Sequence, residues 1–493
     1  MTPLWAITTT LWFGTSACNP GVVLSADSAV PPTASTTDSL PVVDSQDSAP
    51  PTETGSPGPT DLDGDGHDAD SDCDDDDASV HPGAQEIPRD GVDNDCADGD
   101  DLSVPPALSI DALDPVGITH GAVTQDKPQS KLWRHGDYWW AVLADEDGTW
   151  LLRLEGTAWV RQRQLSQSPE ARADCRAAGE LAHVLLYDGL AGSVDLVSLA
   201  FDGDTQTYGP WSERPQAVTL ALTDGVETAT LELDATGRAW VVWAGIDTVH
   251  ARHAESPFTV WQDLAQPLAQ GITDDDIAVV AALATPDGDA IGVLWSDQTS
   301  DEWRFRLHLD ADDPDTWSAV ESAGATGTYG GLDVGTGMSD DHLNLAVASD
   351  GTLYAAVKTS YDSTTHPLIA LLIRDPDTGW RDFEPEHQLN PEGSLSPTRP
   401  IVVLNEAEQW VLVAYTTRES GTDDIVARAS ATEPIAFAAE QVLMAGEDQG
   451  LNNVTSTRQL VDDQAVLLAG NLSVPGTAWS VVVRSDGADE AGR

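Results

Sequence analysis

The chain has 493 residues and carries 83 acidic side chains against 23 basic ones, a formal charge of −60. A surface this negative repels phosphate backbones and anionic lipid head groups, which excludes nucleic acid as a partner and leaves a membrane reachable only through a covalent anchor. Hydrophobic residues at 40% suffice for a large core, no apolar run is long enough to cross a bilayer, and 17 Trp against 3 Met point to a β-rich body.

In chain order, Leu4 to Phe13 is a short apolar stretch interrupted by Thr8, Thr9 and Thr10, and Gly14-Thr15-Ser16-Ala17-Cys18 follows it. Too short to span and ending in small residues, residues 1–18 read as an export signal. The run ending at Cys18 resembles a bacterial lipoprotein lipobox, with Thr15 where Leu is usual and no Lys or Arg ahead of the apolar stretch. That resemblance implies lipidation of Cys18 and a place at the outer membrane or cell surface. Ordinary cleavage at the same junction instead leaves Cys18 a free thiol on a secreted protein. Residues 19–60 are Ser, Thr, Pro and Asp with few large apolar side chains. Such a segment cannot bury enough surface to offset its backbone entropy, so a disordered linker is expected, and a tether if Cys18 is lipidated.

Residues 61–101 form the most informative stretch. Asp61, Asp63 and Asp65 alternate and lead into Gly66, and Asp72, Asp74 and Asp76 alternate after them. Glu86, Asp90, Asp93 and Asp95 follow at wider and uneven spacing. Alternating carboxylates closed by a Gly turn suit a large hard cation that takes six to eight oxygens, so calcium is the expected cofactor and these ten residues its candidate ligands. No amphipathic helix flanks the loop, which sets it apart from an EF-hand. The run D-x-D-G-D-G, then D-C-D-D, then P-G-A-x-E and D-G-x-D-N-D-C resembles the MopE-type metal-binding module of bacterial surface proteins, and also the Asp-rich calcium repeats of thrombospondin type 3. Ala97 displaces the closing Asp98-Gly99-Asp100 by one place. The family name suggests copper, but only His67 and His81 offer the softer ligands copper favours, so calcium is preferred. Cys73 and Cys96 are expected to pair in an oxidising compartment, and Cys175 to be a buried small hydrophobe. So many carboxylates repel one another without an ion, and the module is expected to fold only when loaded.

From residue 105 to 493 one phrase recurs seven times: a short strand, a turn, an apolar strand, a second turn and a further strand. The apolar strands begin at Trp139, His183, Trp240, Ile291, Tyr354, Val411 and Val466, at intervals averaging about 54 residues. Trp159, Trp211, Trp261, Trp317 and Trp380 mark an outer strand in five of the repeats. Four strands per repeat predict a mainly β fold, a seven-bladed β-propeller. The last repeat stops after its third strand, so the segment 107–111 is expected to close the ring. The strand–turn–Trp rhythm weakly resembles sialidase-like propellers with BNR-type repeats, although no run fits their Asp box, the nearest being Asp147-Gly-Thr-Trp150, and their arginine clamp cannot be assigned.

Polar residues precede each innermost strand: Lys131, Asp174, Glu227, Asp276, His342, Arg399 and Asn453. Two readings stand side by side: a ligand funnel at one mouth of the channel, or strand caps and loop anchors. Lys358, Tyr361 and His366 lie in a loop expected at the same mouth. The composite reading is an exported, membrane-anchored calcium-binding surface protein whose propeller binds a glycan or a protein. The alternative is a polysaccharide lyase or glycoside hydrolase of the sialidase-like type, with His342, Tyr361 and Arg399 as base, acid and charge neutraliser and Lys358 nearby. A structural or adhesive lipoprotein is a third. Binding is preferred because no catalytic motif is recognisable.

Overall fold

A computed structural model describes residues 60–485 except 126, 189–191, 324–331, 333–336, 362–365, 387–396, 418–422, 447–449 and 472. The export signal, Cys18 and nearly all of the linker lie outside the described residues.

Seven antiparallel sheets, each with at least four strands, make seven blades among the described residues. The innermost strands are Leu132–His135, Arg172–Ala178, Ala229–Leu233, Ala278–Thr285, Leu343–Val347, Thr398–Asn405 and Leu451–Thr455, in blades 1 to 7. The predicted apolar runs are the second strands, such as Trp410–Thr416, buried at every residue. A strand packed on both faces loses the apolar–polar alternation and reads as a continuous hydrophobic run, which is why these seven stood out. The sheet faces pack blade against blade. One cluster joins blades 5 and 6 through Tyr354, Leu371, Val402 and Val413, and another joins blades 3 and 4 through Trp240, Val280 and Trp295. The Trp240 indole N–H donates to Asp234 Oδ2 at 2.9 Å, so the buried ring keeps its one polar atom satisfied.

Among the described residues, blade 7 has no fourth strand of its own. Leu108–Ala112, from the start of the domain, pairs antiparallel with Gly476–Ser485, Leu108 opposite Ser485 and Ala112 opposite Val481. The predicted closure is therefore present. Arg484 bonds Asp111 at 2.5 Å beside it, and the Trp159 indole of blade 1 donates to Ser480 Oγ at 3.0 Å. Between blades 4 and 5 the turn at Gly351 has φ +90, and a Cβ there would lie 1.9 Å from Ala284 O, so only glycine fits.

His183, in the second strand of blade 2, bonds Ser198 Oγ at 2.6 Å between the rings of Trp211 and Phe258. Burial first, then the charges of Arg214 and Arg176, lower its pKa from 6.5 to about 4. Between those values the unfolded chain takes up a proton that the folded chain refuses. The stability this group contributes is full above pH 6.5, falls as pH drops, and is lower by about 3 kcal/mol near pH 4. In urea unfolding at pH 7 and pH 4.5, His183→Gln is expected to lose stability at pH 7 but show a smaller acid decrement than the wild type. An unchanged decrement rejects the assignment.

Candidate metal centre and the propeller channel

The segment 61–101 contains turns and bends but no helix or strand, and its backbone is held by its own carboxylates. Asp61 accepts the N–H groups of Gly64 at 2.6 Å and Gly66 at 3.2 Å. Asp63 Oδ1 accepts from Asp65, Asp65 Oδ1 from His67, Asp72 Oδ1 from Asp74 and Asp75 Oδ1 from Leu62, at 2.8–3.2 Å. In Asp63, Asp65, Asp72 and Asp75 the second oxygen, Oδ2, is buried and has no hydrogen-bond donor among the described residues. Ligand atoms of Asp61, Asp63 and Asp75, and again of Asp63, Asp65 and Asp72, lie within 4.8 Å of one another. Burial, and the charges of Asp65, Asp72 and Asp61 after it, raise the Asp63 carboxyl above its ordinary range, against the opposing Asp65 N–H. Buried oxygens without donors among like charges fit a hard cation, which supplies the charge the loop lacks.

A second group brings Glu86, Asp93 and Asp95 within the same reach. Glu86 Oε2 accepts from Asn94 at 2.9 Å and Asp95 at 3.2 Å, which curls the chain around it. Of the remaining predicted ligands, Asp74 accepts the Asp76 N–H at 3.4 Å, and Asp74, Asp76 and Asp90 are exposed. Asp75 is the ligand candidate that alternation missed. The Asp77 N–H bonds Asp74 O at 2.9 Å, and the tight turn this makes brings Asp75 into the cluster.

The family model described as "Putative metal-binding motif" (Cu-binding MopE) matches residues 72–101. No curated protein matches the chain. Among solved structures, the chain is similar to the Myceliophteria thermophila Cps50 (Swd1) β-propeller domain, at 10% identity and TM-score 0.41 over 76% of this chain and 99% of that one. It is similar to polysaccharide lyase Uly1 at 10% identity and TM-score 0.40, over 78% and 100%. It is also similar to Penicillium chrysogenum α-L-arabinanase complexed with arabinobiose at 11% identity and TM-score 0.40, over 66% and 99%.

Within the MopE-type module, Cys73 and Cys96 are disulfide-bonded across a separation of 23 residues. Closing a loop of that length restricts the unfolded chain by about 3 kcal/mol in the chain-entropy model. The double variant Cys73→Ser/Cys96→Ser is therefore expected to weaken metal binding and lower the melting point of the module. Equal metal affinity with and without the bond would show that the carboxylate turns are preorganised without it. His67 and His81 stack face to face at 4.9 Å. Arg89, in the left-handed region at φ 61, fastens the module to the propeller. Its guanidinium donates to Glu408 O at 2.8 Å and Gln409 O at 3.3 Å, in the blade 6 turn, and to Leu102 O and Val104 O at 2.5 Å. Burial lowers its pKa, with the charges of Glu408, Asp100 and Asp101 working the other way.

At the mouth where the innermost strands begin, the channel is crossed by the chain's own segment 127–131. Pro128 O accepts from Asn344 of blade 5 at 3.4 Å, and Gln129 donates to Ala229 O of blade 3 at 2.9 Å. Lys131, fully buried, donates to Gln129 Oε1 at 2.8 Å and Ala173 O at 2.7 Å. Lys127 bonds Glu227 at 2.7 Å and also Asp341. Burial opposes the Lys127 charge, but Asp341 and Glu227 outweigh it and hold its pKa above the ordinary value. Burial likewise opposes the Asp341 charge, yet hydrogen bonds with His342 and Asp340 and the charges of His342 and Lys127 hold its carboxyl well below the usual range.

His342 Nδ1 meets Asp341 and lies 3.1 Å from Asp340, whose carboxylate also takes Lys358 at 3.1 Å and the Ser360 hydroxyl at 2.6 Å. Tyr361 stacks on His366 with centroids 4.3 Å apart and packs into the apolar cluster of blades 4 and 5. Asp276 caps its own loop, accepting from Thr273 at 2.7 Å and Gln298 at 3.0 Å. Arg399 and Asn453 have φ of 55 and 57 at irregularities where the innermost strands of blades 6 and 7 slip register. Asn453 donates to Gly121 O at 3.2 Å, and Arg399 to Thr398 Oγ1 at 3.4 Å.

Deeper in the channel, Asp174 accepts the N–H groups of Ser130 at 2.9 Å and Leu231 at 2.7 Å. Arg458, from the long turn between the first two strands of blade 7, reaches it at 3.3 Å and donates to Leu231 O at 2.7 Å and Val280 O at 3.0 Å. One guanidinium thus ties blade 7 to blades 2, 3 and 4. Burial pushes the Asp174 carboxyl up, against the Arg458 charge and the two backbone donors.

Of the seven funnel residues, Lys131 and Asp174 meet around Ala173, and Glu227 and His342 are linked through Lys127 and Asp341. Sequence reading missed Lys127 and Arg458. Each acts across blades more than 80 residues away, and no local signal marks them.

Proposed function

We propose that the chain is an exported calcium-binding surface protein, with calcium held in the MopE-type module and the propeller serving as the body that binds a glycan or protein ligand. The observation that carries the calcium reading is the four buried, donor-free oxygens of Asp63, Asp65, Asp72 and Asp75, all hard carboxylate ligands. Copper favours imidazole and thioether, and none of the four is either. The residues 4–18 supply the export reading, with Cys18 as the anchor to be lipidated or, failing that, left on a secreted form. Mass spectrometry of the protein purified from its native membrane tests the anchor: a diacylated Cys18 supports it and an unmodified mature chain removes it. Calorimetric titration with calcium, beside copper, tests the metal. Calcium binding at micromolar concentration or tighter is expected; copper binding without calcium binding overturns the reading.

A second reading, an exported polysaccharide-processing enzyme, rests on the cluster of His342, Asp340 and Lys358, because His342 Nε2 is buried without a partner among the described residues. Turnover of a polysaccharide by the full chain, lost in His342→Gln, would favour this reading over binding.

A further inference from the structure

Arg89 stands in a loop that the module's own carboxylates close. Glu86 Oε2 accepts the N–H groups of Asn94 and Asp95, and Asn94 Oδ1 accepts the Ile87 N–H at 2.8 Å, so the two ends of 86–95 are tied together. Asp100 takes the N–H groups of Arg89 at 2.6 Å and Gly91 at 3.0 Å. The disulfide joins this loop to the first carboxylate group, because Cys73 follows Asp72 and Cys96 follows Asp95. Candidate calcium ligands thus flank both halves of one covalent link, and the position of Arg89 depends on them.

On the propeller side, the blade 6 turn 406–409 that receives Arg89 is a junction. The Glu408 carboxylate accepts from the Trp410 indole at 2.9 Å and from the Ser485 hydroxyl, and Ser485 is the residue paired with Leu108 in the strand that closes the ring. The Glu408 N–H reaches Asn405 Oδ1 at 2.9 Å, and Asn405 donates to Asp462 O of blade 7 at 2.6 Å. Glu406 Oε1 accepts the Ser349 hydroxyl of blade 5 at 2.6 Å. Module and blade 6 also face each other across a gap of about 480 Å³, lined by Glu86, Asp95, Asp98, Asp100, Asp101 and Glu433 and, among the described residues, by no Lys or Arg. Arg381, 3.3 Å from Glu433, offsets only the blade 6 wall. Like charges on both walls oppose contact, so docking depends on Arg89 and on neutralisation of the module's carboxylates by a cation.

We infer that calcium held in the module strengthens the closure of the propeller ring, with Arg89 as the link. The cation neutralises the module's carboxylates and steadies the loop 86–95. Arg89 then stays on Glu408 and Gln409, and the Glu408 turn stays on Ser485 beside the closing strand. Such a coupling is reciprocal: a metal that favours the docked module stabilises the ring, and the docked ring tightens the metal by the same factor. This inference rests on the calcium reading above and adds control of the propeller by the metal.

Residues 61–101 contain no Trp, so tryptophan fluorescence is blind to the module's own unfolding and reads the propeller. The full-length wild type and Arg89→Ala are melted with saturating calcium and with chelator at matched ionic strength, and both are titrated with calcium by calorimetry. Arg and Ala carry a similar backbone cost at φ 61, so the variant removes the guanidinium alone. Calcium is expected to raise the wild-type propeller transition by about 2 °C or more. Arg89→Ala is expected to lose that rise while still binding calcium, about fivefold or more weakly. Calcium binding that leaves the wild-type transition unmoved, or a rise that persists undiminished in Arg89→Ala, overturns the inference and leaves the calcium reading standing. An Arg89→Ala chain that no longer binds calcium overturns it as well, because Arg89 then supports the metal site rather than linking it to the ring. Absence of calcium binding by the wild type removes the calcium reading and this inference together.

Discussion

Asp174→Ala is expected to cost about 3–5 kcal/mol of propeller stability, the range for removing one partner of a buried ion pair. Asp174 is fully buried, and its loss strands two backbone N–H groups as well as the Arg458 charge. The contrast is Glu227→Ala at the channel mouth. Glu227 is 42% exposed and shares Lys127 with Asp341, so its loss is expected to cost about 1 kcal/mol or less. Replacing Asp174 and Arg458 together by Leu and Met is expected to recover part of the loss, because the Arg458 charge leaves with its partner, and only part, because the buried Lys131 ammonium loses the attraction of Asp174. Urea unfolding of the three variants checks this ordering. A cost below about 1 kcal/mol for Asp174→Ala would mean that water enters the channel and solvates Arg458.

The second large effect concerns the metal. Asp63→Asn, Asp65→Asn, Asp72→Asn and Asp75→Asn are each expected to weaken calcium binding by about 10- to 100-fold, the weight of one charged ligand contact. Asp76→Asn, at an exposed side chain, is expected to leave affinity within about threefold. Chelation is expected to loosen the module first, since its backbone is arranged by carboxylates that then face one another unneutralised. Calorimetry of each variant and melting with and without chelator provide the readout. If Asp76→Asn proves as damaging as Asp63→Asn, the strict alternation of the sequence describes the ligand set better than the turn at Asp74–Asp77 does.

That comparison shows what could be read in the chain and what could not. The seven apolar second strands were legible because a strand buried on both faces leaves an unbroken hydrophobic run, and Trp410–Thr416 is such a run. The closing strand Leu108–Ala112 followed from counting, since blade 7 lacked a fourth strand. The first carboxylates of the module were legible because each holds the backbone two to five residues on, an interaction confined to its own neighbourhood. Asp75 was hidden because a single tight turn changes which residues face inward. Arg458 and Arg89 were hidden for a different reason. Their partners in other blades of the propeller lie 178 to 284 residues from Arg458 and 319 to 320 from Arg89 along the chain, at distances where spacing carries no information. The polar residues near the starts of the innermost strands were visible as a repeating set, but Asp174, Arg399 and Asn453 lie inside those strands rather than ahead of them, and repetition alone did not reveal that segment 127–131 crosses the mouth.

The attachment of the module through Arg89 has a mechanical consequence. A pull applied at residue 60 travels into the ring by two routes. One runs along the backbone into Leu108–Ala112, the clasp that holds the first and last blades together. The other leaves the backbone at Arg89 and enters the blade 6 turn through Glu408 and Gln409. The load is thereby shared between two neighbouring blades before it reaches the clasp, and cutting the Arg89 route concentrates the whole force on five paired residues.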